Sequence, residues 1–271
     1  MIKKISVLVL LLAVQFSFAA NTIDIQIHSK SMHRDIKTLV IVPDQASEGE
    51  NFPVVYLLHG YGCDYRTWIG LKPELPELAD RYGMIFVCPD GANSWYWDSP
   101  SDPHSQYETF ISSELVKYID HHYPTLQSRE FRAITGSSMG GHGAFWNAIR
   151  HQEVFGAVGA IHGGVDLYIH PNKWDIDKQL GDYYKNQQSW MEHTVMSQLE
   201  KLHDGDLAIS FECGFQDEFF LECNKALHAI LEARGIAHDF ALRPGHHDKD
   251  YCNKAIDYQL IFFDKFFKSH K

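Results

Sequence analysis

Eight stretches of the chain carry strand patterning. Thr22-Ile-Asp-Ile-Gln-Ile-His28 alternates apolar with polar, and Ile36 to Val42 is more apolar. Pro53–Leu58, Met84–Cys88, Ala133–Thr135, Ala157–Ile161, Leu207–Cys213 and Ala237–Leu242 are short and largely apolar. Continuous apolar runs of this length are what a strand buried on both faces of a parallel sheet presents. Between them lie stretches with helical spacing. Glu108 to His121 places Phe110, Ile111, Leu115, Tyr118 and Ile119 on one face. Gly140 to about Arg150, about Phe219 to Arg234 and Ile256 to Phe267 read as three further helices, with Gly235 ending the second. Strands alternating with helices predict an α/β fold with a mostly parallel sheet. From Gly163 to about Gln198 the pattern breaks down. That span holds Tyr168, Trp174, Tyr183, Tyr184 and Trp190 and reads as an insertion after the sixth strand, a lid or substrate-binding segment over the site.

The stretch around which the rest is organised is Gly136-Ser137-Ser138-Met139-Gly140. An apolar strand runs into it and a helix runs out of it, the context of a nucleophile elbow. Glycines two before and two after Ser138 remove side chains that would collide where strand and helix meet. The turn holds the Ser138 hydroxyl at a helix N-terminus, where free N–H groups can stabilise an oxyanion. A bare G-x-S-x-G also occurs by chance in small-residue loops, so the other loops have to decide.

Three of them follow predicted buried strands. Leu58 leads into His59-Gly60-Tyr61-Gly62, where the Tyr61 N–H is the candidate second oxyanion donor beside that of Met139. His59 reads as a packed residue that fixes this loop. Cys213 leads into Asp217-Glu218, and Leu242 into His246-His247. The order serine, acid, histidine matches an α/β-hydrolase, with Asp217 and His247 as the partners of Ser138 and with Glu218 and His246 as their competitors. The chain has 17 histidines, so one well-placed histidine would carry little, and the weight rests on four independent loops. Trp95, Trp97 and Tyr183 are candidate substrate contacts; aromatics on loops suit sugar rings or aromatic acyl groups, although the two tryptophans could equally anchor the core.

Composition narrows the function. A formal charge of −11 without a Lys/Arg cluster argues against nucleic acid and anionic membrane surfaces. The five cysteines include no C-x-x-C pair, so neither a disulfide framework nor a zinc site is expected; Cys213 and Cys252 are the pair to test for a bridge. Lys3 and Lys4, an apolar run to about Phe16 and a small-residue site near Ala19 predict a secretory signal peptide over residues 1–19. Residues 20–271 then form one domain, exported to the periplasm or beyond, without a stable membrane insertion.

Tyr56-Leu-Leu-His-Gly-Tyr-Gly62, Asp90-Gly-Ala-Asn-Ser-Trp-Tyr96, Tyr107-Glu-Thr-Phe-Ile111, Gly136-Ser-Ser-Met-Gly-Gly141, Cys213-Gly-x-x-Asp217 and Pro244-Gly-His-His-Asp248 form a characteristic series. With it the chain, from Pro53 onward, resembles the esterase D group of α/β-hydrolases, which includes tributyrin-type esterases, S-formylglutathione hydrolases, feruloyl and acetyl xylan esterases and mycolyltransferases. The group usually ends its histidine loop P-G-G-H-D-W. Here His247 takes the catalytic position, His246 stands where glycine is usual, and Lys249 replaces the tryptophan. The resemblance implies a serine esterase needing no metal or organic cofactor. Export favours acetyl or hydroxycinnamoyl esters of polysaccharide as substrates. A broad short-chain acyl esterase, mycolyl-type transfer and a non-catalytic carbohydrate-binding scaffold are the other readings.

Overall fold

The computed structural model describes residues 20–171 and 173–271. The expected signal peptide therefore lies outside the described residues. Among the described residues eight strands form one sheet: β1 (Asn21–Ser29), β2 (Arg34–Val42), β3 (Val54–Leu58), β4 (Ile85–Pro89), β5 (Arg132–Gly136), β6 (Ala157–Ile161), β7 (Ala208–Gly214) and β8 (Asp239–Arg243). Their spatial order is β1-β2-β4-β3-β5-β6-β7-β8. β2 pairs antiparallel with both β1 and β4, and every other pairing is parallel. All eight patterned stretches are strands, and the parallel core is the mostly parallel α/β-hydrolase sheet expected.

The helices are α1 (Thr67–Leu71), α2 (Leu75–Tyr82), α3 (Tyr107–Thr109), α4 (Val116–His122), α5 (Met139–Arg150), α6 (Ile176–Leu180), α7 (Gln187–Glu192), α8 (Val195–Gln198), α9 (Leu221–Ala233) and α10 (Lys249–Lys268). A π-helical stretch, Phe110–Leu115, joins α3 to α4, so the predicted single helix is one run with a widened turn. Its buried Glu108 accepts from Trp146 Nε1 at 2.7 Å, Arg150 Nε at 2.7 Å and His151 Nε2 at 2.9 Å, which ties the run to α5. Here an acid on an amphipathic helix serves as a brace.

β3, β4, β5 and β6 are buried along their whole length. Their apolar side chains supply two cores, one on each face. α5 and α9 cover one face, while α1, α2 and α10 cover the other. α10 docks so closely that a Cβ on Gly159 of β6 would fall 1.8 Å from Gln259 Oε1. α10 also starts seven residues before the periodic stretch that predicts it. The Asp248 carboxylate accepts the Tyr251 N–H at 2.8 Å and nucleates a first turn whose polar residues hide the period. The short α1 and α2 have no counterpart in the periodicity reading. The five cysteines are free, and the expected Cys213–Cys252 bridge is not formed. The Cys252 thiol lies instead 3.1 Å from Ser137 Oγ. No helix among the described residues is long and apolar enough to cross a membrane.

The carboxyl ends of the parallel strands share one edge of the sheet, and there the α5 N-terminus approaches β3. A Cβ on Gly140 would meet Leu58 O at 2.1 Å, and one on Gly136 would meet Gly140 C at 2.5 Å. Backbone cannot yield as a flexible side chain would. Gly140→Ala is therefore expected to destabilise the protein by about 2–3 kcal/mol, read as a lowered denaturation midpoint, while Gly49→Ala, with open space around it, should cost less.

Candidate active site

Ser138 sits where β5 turns into α5, with φ 58° and ψ −114°. Such a conformation is unfavourable for a residue with a Cβ and survives because its surroundings fix it. The Ser138 N–H donates to Ile161 O at 3.0 Å, and its carbonyl accepts from His142 N at 3.0 Å and Gly164 N at 3.2 Å. Ser138 is half-buried although Ser137 and Met139 beside it are buried, so the turn brings this one side chain toward solvent.

The loop after β3 lies against the elbow. A Cβ on Gly60 would stand 3.6 Å from Ser138 Cβ, so the glycine permits the approach. His59, 1% exposed, locks the loop from beneath: its Nδ1–H donates to Gly60 O at 2.8 Å and its Nε2 accepts the Gly91 N–H at 2.8 Å. These partners occupy both ring nitrogens and leave His59 none free for chemistry. Gly62, at φ 72°, donates its N–H to Asn93 Oδ1 at 2.9 Å. The N–H groups of Tyr61 and Met139 donate to no protein acceptor among the described residues. Two free donors flank Ser138, one of them at a helix N-terminus, where backbone dipoles favour negative charge.

Asp217 and His247 arrive from the next two loops. The Gln216 N–H donates to Gly245 O at 3.0 Å, and the Gly245 N–H donates to Gln216 Oε1 at 3.0 Å, so the two loops are zipped together. His247 Nδ1–H donates to Asp217 Oδ2 at 2.7 Å. Asp217 Oδ1 accepts the N–H groups of Phe219 and Phe220, each at 2.8 Å. Burial works against ionisation of Asp217, yet the His247 hydrogen bond and charge and the two backbone donors outweigh it and hold the carboxyl below the usual range. Glu218 and His246, the competing residues, are exposed. Phe219 and Phe220 set their edges against the His247 ring at 5.3 and 5.4 Å, and the ring of His162 stacks on it at 4.0 Å.

Ser138, His247 and the Tyr61 loop line one pocket of about 170 Å³, completed by Cys63, Thr67, Trp68, Leu71 and Lys249. Lys249 is exposed at its rim, where the motif would place a tryptophan. His162, Asp217 and His247 offer three ligand-type atoms within 4.8 Å of one another. The 2.7 Å hydrogen bond already joins the Asp217 and His247 atoms, which fits proton handling better than metal ligation. Trp95 and Trp97 are not where a substrate could meet them. They are 1% and 0% exposed, stacked on each other at 6.0 Å and packed around His142. These tryptophans build the core beneath the elbow helix, which decides between the two sequence readings. Tyr183 packs against Tyr168 and Trp190 and does not line the pocket.

The sequence reading gave no specific place to four residues, Phe219 among them. Trp174 packs on Phe219 and Phe220 at 5.8 and 5.3 Å and accepts the Trp95 indole N–H at its carbonyl. Asp175 accepts the Tyr61 hydroxyl at 2.9 Å, joining the 163–198 segment to the loop after β3. His162 lies under His247. Trp174 belonged to a segment read as aromatic but unplaced, Phe219 was read only as a helix start, and His162 had no signal beyond following a strand.

A family model described as "Putative esterase" matches residues 29–263. The chain belongs to that esterase family. Among its relatives, the acetyl esterase of Caldicellulosiruptor saccharolyticus is 28% identical over 254 residues, 86% of this chain and 94% of that one. The S-formylglutathione hydrolase of Paracoccus denitrificans is 26% identical over 256 residues, 85% of this chain and 84% of that one. The solved structure of a ferulic acid esterase superposes with a TM-score of 0.80 at 26% identity, covering 92% of this chain and 99% of that one. The α/β-hydrolase fold and a serine carboxylic-ester hydrolase activity follow from this membership.

The geometry separates the competing residues. In steady-state ester hydrolysis His247→Ala should cost at least about a thousandfold in rate while exposed His246→Ala stays near wild type. Asp217→Asn should be severely impaired and Glu218→Gln nearly normal. The reverse ranking in either pair would reassign the site.

Proposed function

We propose that this esterase is exported and removes acetyl or hydroxycinnamoyl groups from polysaccharide, through an acyl-enzyme on Ser138. The observation that carries the mechanism is the 2.7 Å contact between His247 Nδ1–H and Asp217 Oδ2, beside a pocket that both His247 and Ser138 line. In this reading His247 takes the proton of Ser138 as the hydroxyl oxygen attacks the ester carbonyl. Asp217, already ionised, keeps the imidazole in the Nδ1–H tautomer and stabilises the imidazolium that forms. The carbonyl oxygen becomes an oxyanion against the N–H groups of Tyr61 and Met139, worth about 3–4 kcal/mol per donor in comparable sites. His247 then protonates the departing alcohol. Water, deprotonated by His247, resolves the acyl-enzyme and frees the acid. No step calls on a cofactor.

The preference for polysaccharide esters rests on the relatives named acetyl esterase and ferulic acid esterase and on the aromatic rim. Phe219, 37% exposed, sets its edge against the His247 ring, and half-buried Trp174 packs on Phe219, an aromatic surface next to the pocket along which the sugar carrying the ester would pass. They take the place first given to Trp95 and Trp97. The compact pocket favours a second reading, a broad short-chain acyl esterase that ignores the alcohol.

One substrate panel separates the two readings. Purified protein is assayed on nitrophenyl acetate and butyrate, methyl ferulate, and acetylated and feruloylated xylan oligosaccharides. Higher kcat/KM on the sugar-linked esters, reduced several-fold by Phe219→Ala, is the expected result. Equal or better rates on the simple short-chain esters would leave a general esterase. Ser138→Ala should abolish turnover of every member of the panel.

A further inference from the structure

His162 follows β6 immediately, at φ 39° and 1% exposure. Its backbone N–H donates to Glu212 O at 2.7 Å, and its buried ring forms part of the wall of the pocket that Ser138 and His247 line. There the ring meets the catalytic histidine face to face. The two imidazole centroids are 4.0 Å apart with planes 29° from parallel, and Tyr251 backs the other side at 5.6 Å. Nε2 lies 2.9 Å from Ser137 Oγ and 3.3 Å from Cys252 Sγ. Nδ1 is fully buried, has no hydrogen-bond partner among the described residues and lies 3.7 Å from Asp217 Oδ2.

These contacts select one tautomer. A lone pair on Nδ1 would face the Asp217 carboxylate and be repelled by it, whereas an N–H there is attracted. Nε2 is then an acceptor, and the Ser137 hydroxyl is the donor that satisfies it. We infer that His162 is a positioning residue for the acyl transfer: its ring face confines the His247 imidazole, and its Nδ1–H is a further donor aimed at the Asp217 carboxylate. The inference rests on the reading of Ser138, Asp217 and His247 given above. Burial, reinforced by the neighbouring His247 charge, holds the His162 imidazole neutral, far below its usual titration range. It therefore offers His247 a π face without competing for the proton. A neutral ring stacked on an imidazolium attracts it, and a donor aimed at Asp217 tempers how strongly that carboxylate draws the proton onto the pair.

The two parts have different signatures in pH. The acid limb of kcat/KM reports protonation of the coupled Asp217–His247 pair in the free enzyme. His162→Phe keeps a ring face and removes the donor. Asp217 then becomes the stronger partner for the imidazolium, and the limb should move up by about half a pH unit or more. His162→Gln keeps an N–H and removes the ring face, so its limb should stay at or below that of wild type. The other ionisable groups around the pair are common to all three proteins: His59 after β3, Glu212 and Cys213 on β7, Cys223 on α9, Arg243 on β8, and Asp248, Lys249, Tyr251 and Cys252 on α10. Burial pushes the three thiols and Tyr251 up, and Glu212 is raised by burial against Arg243 at 2.5 Å.

The experiment is a pH profile of kcat/KM for wild type, His162→Phe and His162→Gln on one nitrophenyl ester. Rates are divided by the serine sites that a fluorophosphonate probe labels, so a partly unfolded preparation still reports on its folded fraction. An upward shift for Phe and none for Gln is expected. Unshifted limbs and wild-type rates in both variants would leave His162 a mere packing residue and overturn the inference, as would a downward shift for Phe. An equal upward shift for Gln would remove the donor role. A Ser138→Ala control separates the two levels: if it still turns over, the triad reading itself fails whatever His162 does.

Discussion

The contact on which the rest depends is between backbones: the start of α5 against the end of β3, with Gly136 and Gly140 pressed against Leu58 O. Carbonyl oxygen and peptide cannot be moved aside, so the approach admits no side chain at those positions. The turn between them is thereby forced into the geometry that exposes Ser138. The same closeness organises the neighbouring loops. The Ser137 N–H donates to Leu58 O, the Ser138 N–H to Ile161 O, and the Ser138 carbonyl receives the Gly164 N–H. The loops after β3 and β6 are thus fastened to the elbow by main-chain hydrogen bonds. The free N–H groups beside Ser138 and the ring of His162 behind it are consequences of one packing event.

The second constraint is electrostatic. A carboxylate buried as Asp217 is would cost several kcal/mol if left unpaired. Its three hydrogen bonds decide the balance: two backbone N–H groups on Oδ1 and the His247 N–H on Oδ2. Charge-assisted hydrogen bonds of this kind are roughly twice as strong as neutral ones, and together they keep the group ionised despite its burial. Aspartate suits the position because its short side chain reaches the N–H groups two and three residues ahead in its own loop. Glu218, one residue on, points into solvent and meets neither requirement.

How much of this the chain announced in advance follows from the kind of signal each part carries. Continuous apolar runs locate β3 through β6 because burial on both faces leaves no room for polar residues. The elbow, the Asp217 loop and the His247 loop were legible because short-range chemistry, glycines and loop order mark them. The misjudged residues depend on which way a side chain turns. Trp95 and Trp97 occupy a polar loop, yet positive φ at Trp95 directs the chain inward and the indoles fill the core around His142. Phe219 and Trp174 meet across a long separation in sequence, which no local period encodes. α1 and α2, five and eight residues long, are too short for a hydrophobic period to stand out from the turns around them.

Backbone strain has a distribution that ties these threads together. Among the described residues, eight that are not glycine have positive φ, and Trp95, Tyr96, Ser138, His162, Trp174 and Asp175 are six of them. Each such conformation costs of order 1 kcal/mol or more, so their clustering is a concentrated expense. Every one has a named restraint. Tyr96 OH donates to His59 O, Trp95 Nε1 to Trp174 O, Ser138 N–H to Ile161 O, His162 N–H to Glu212 O, and the Tyr61 hydroxyl to Asp175. Three of these restraints run between different strained residues or directly into the elbow loops, so relaxing one would loosen the others. The two apolar cores, sealed by α5 and α10, supply the stability that keeps such a set in place. The strain therefore holds a hydroxyl, two free N–H groups and a stacked pair of imidazoles in fixed positions, the preorganisation that the proposed acyl transfer would draw on.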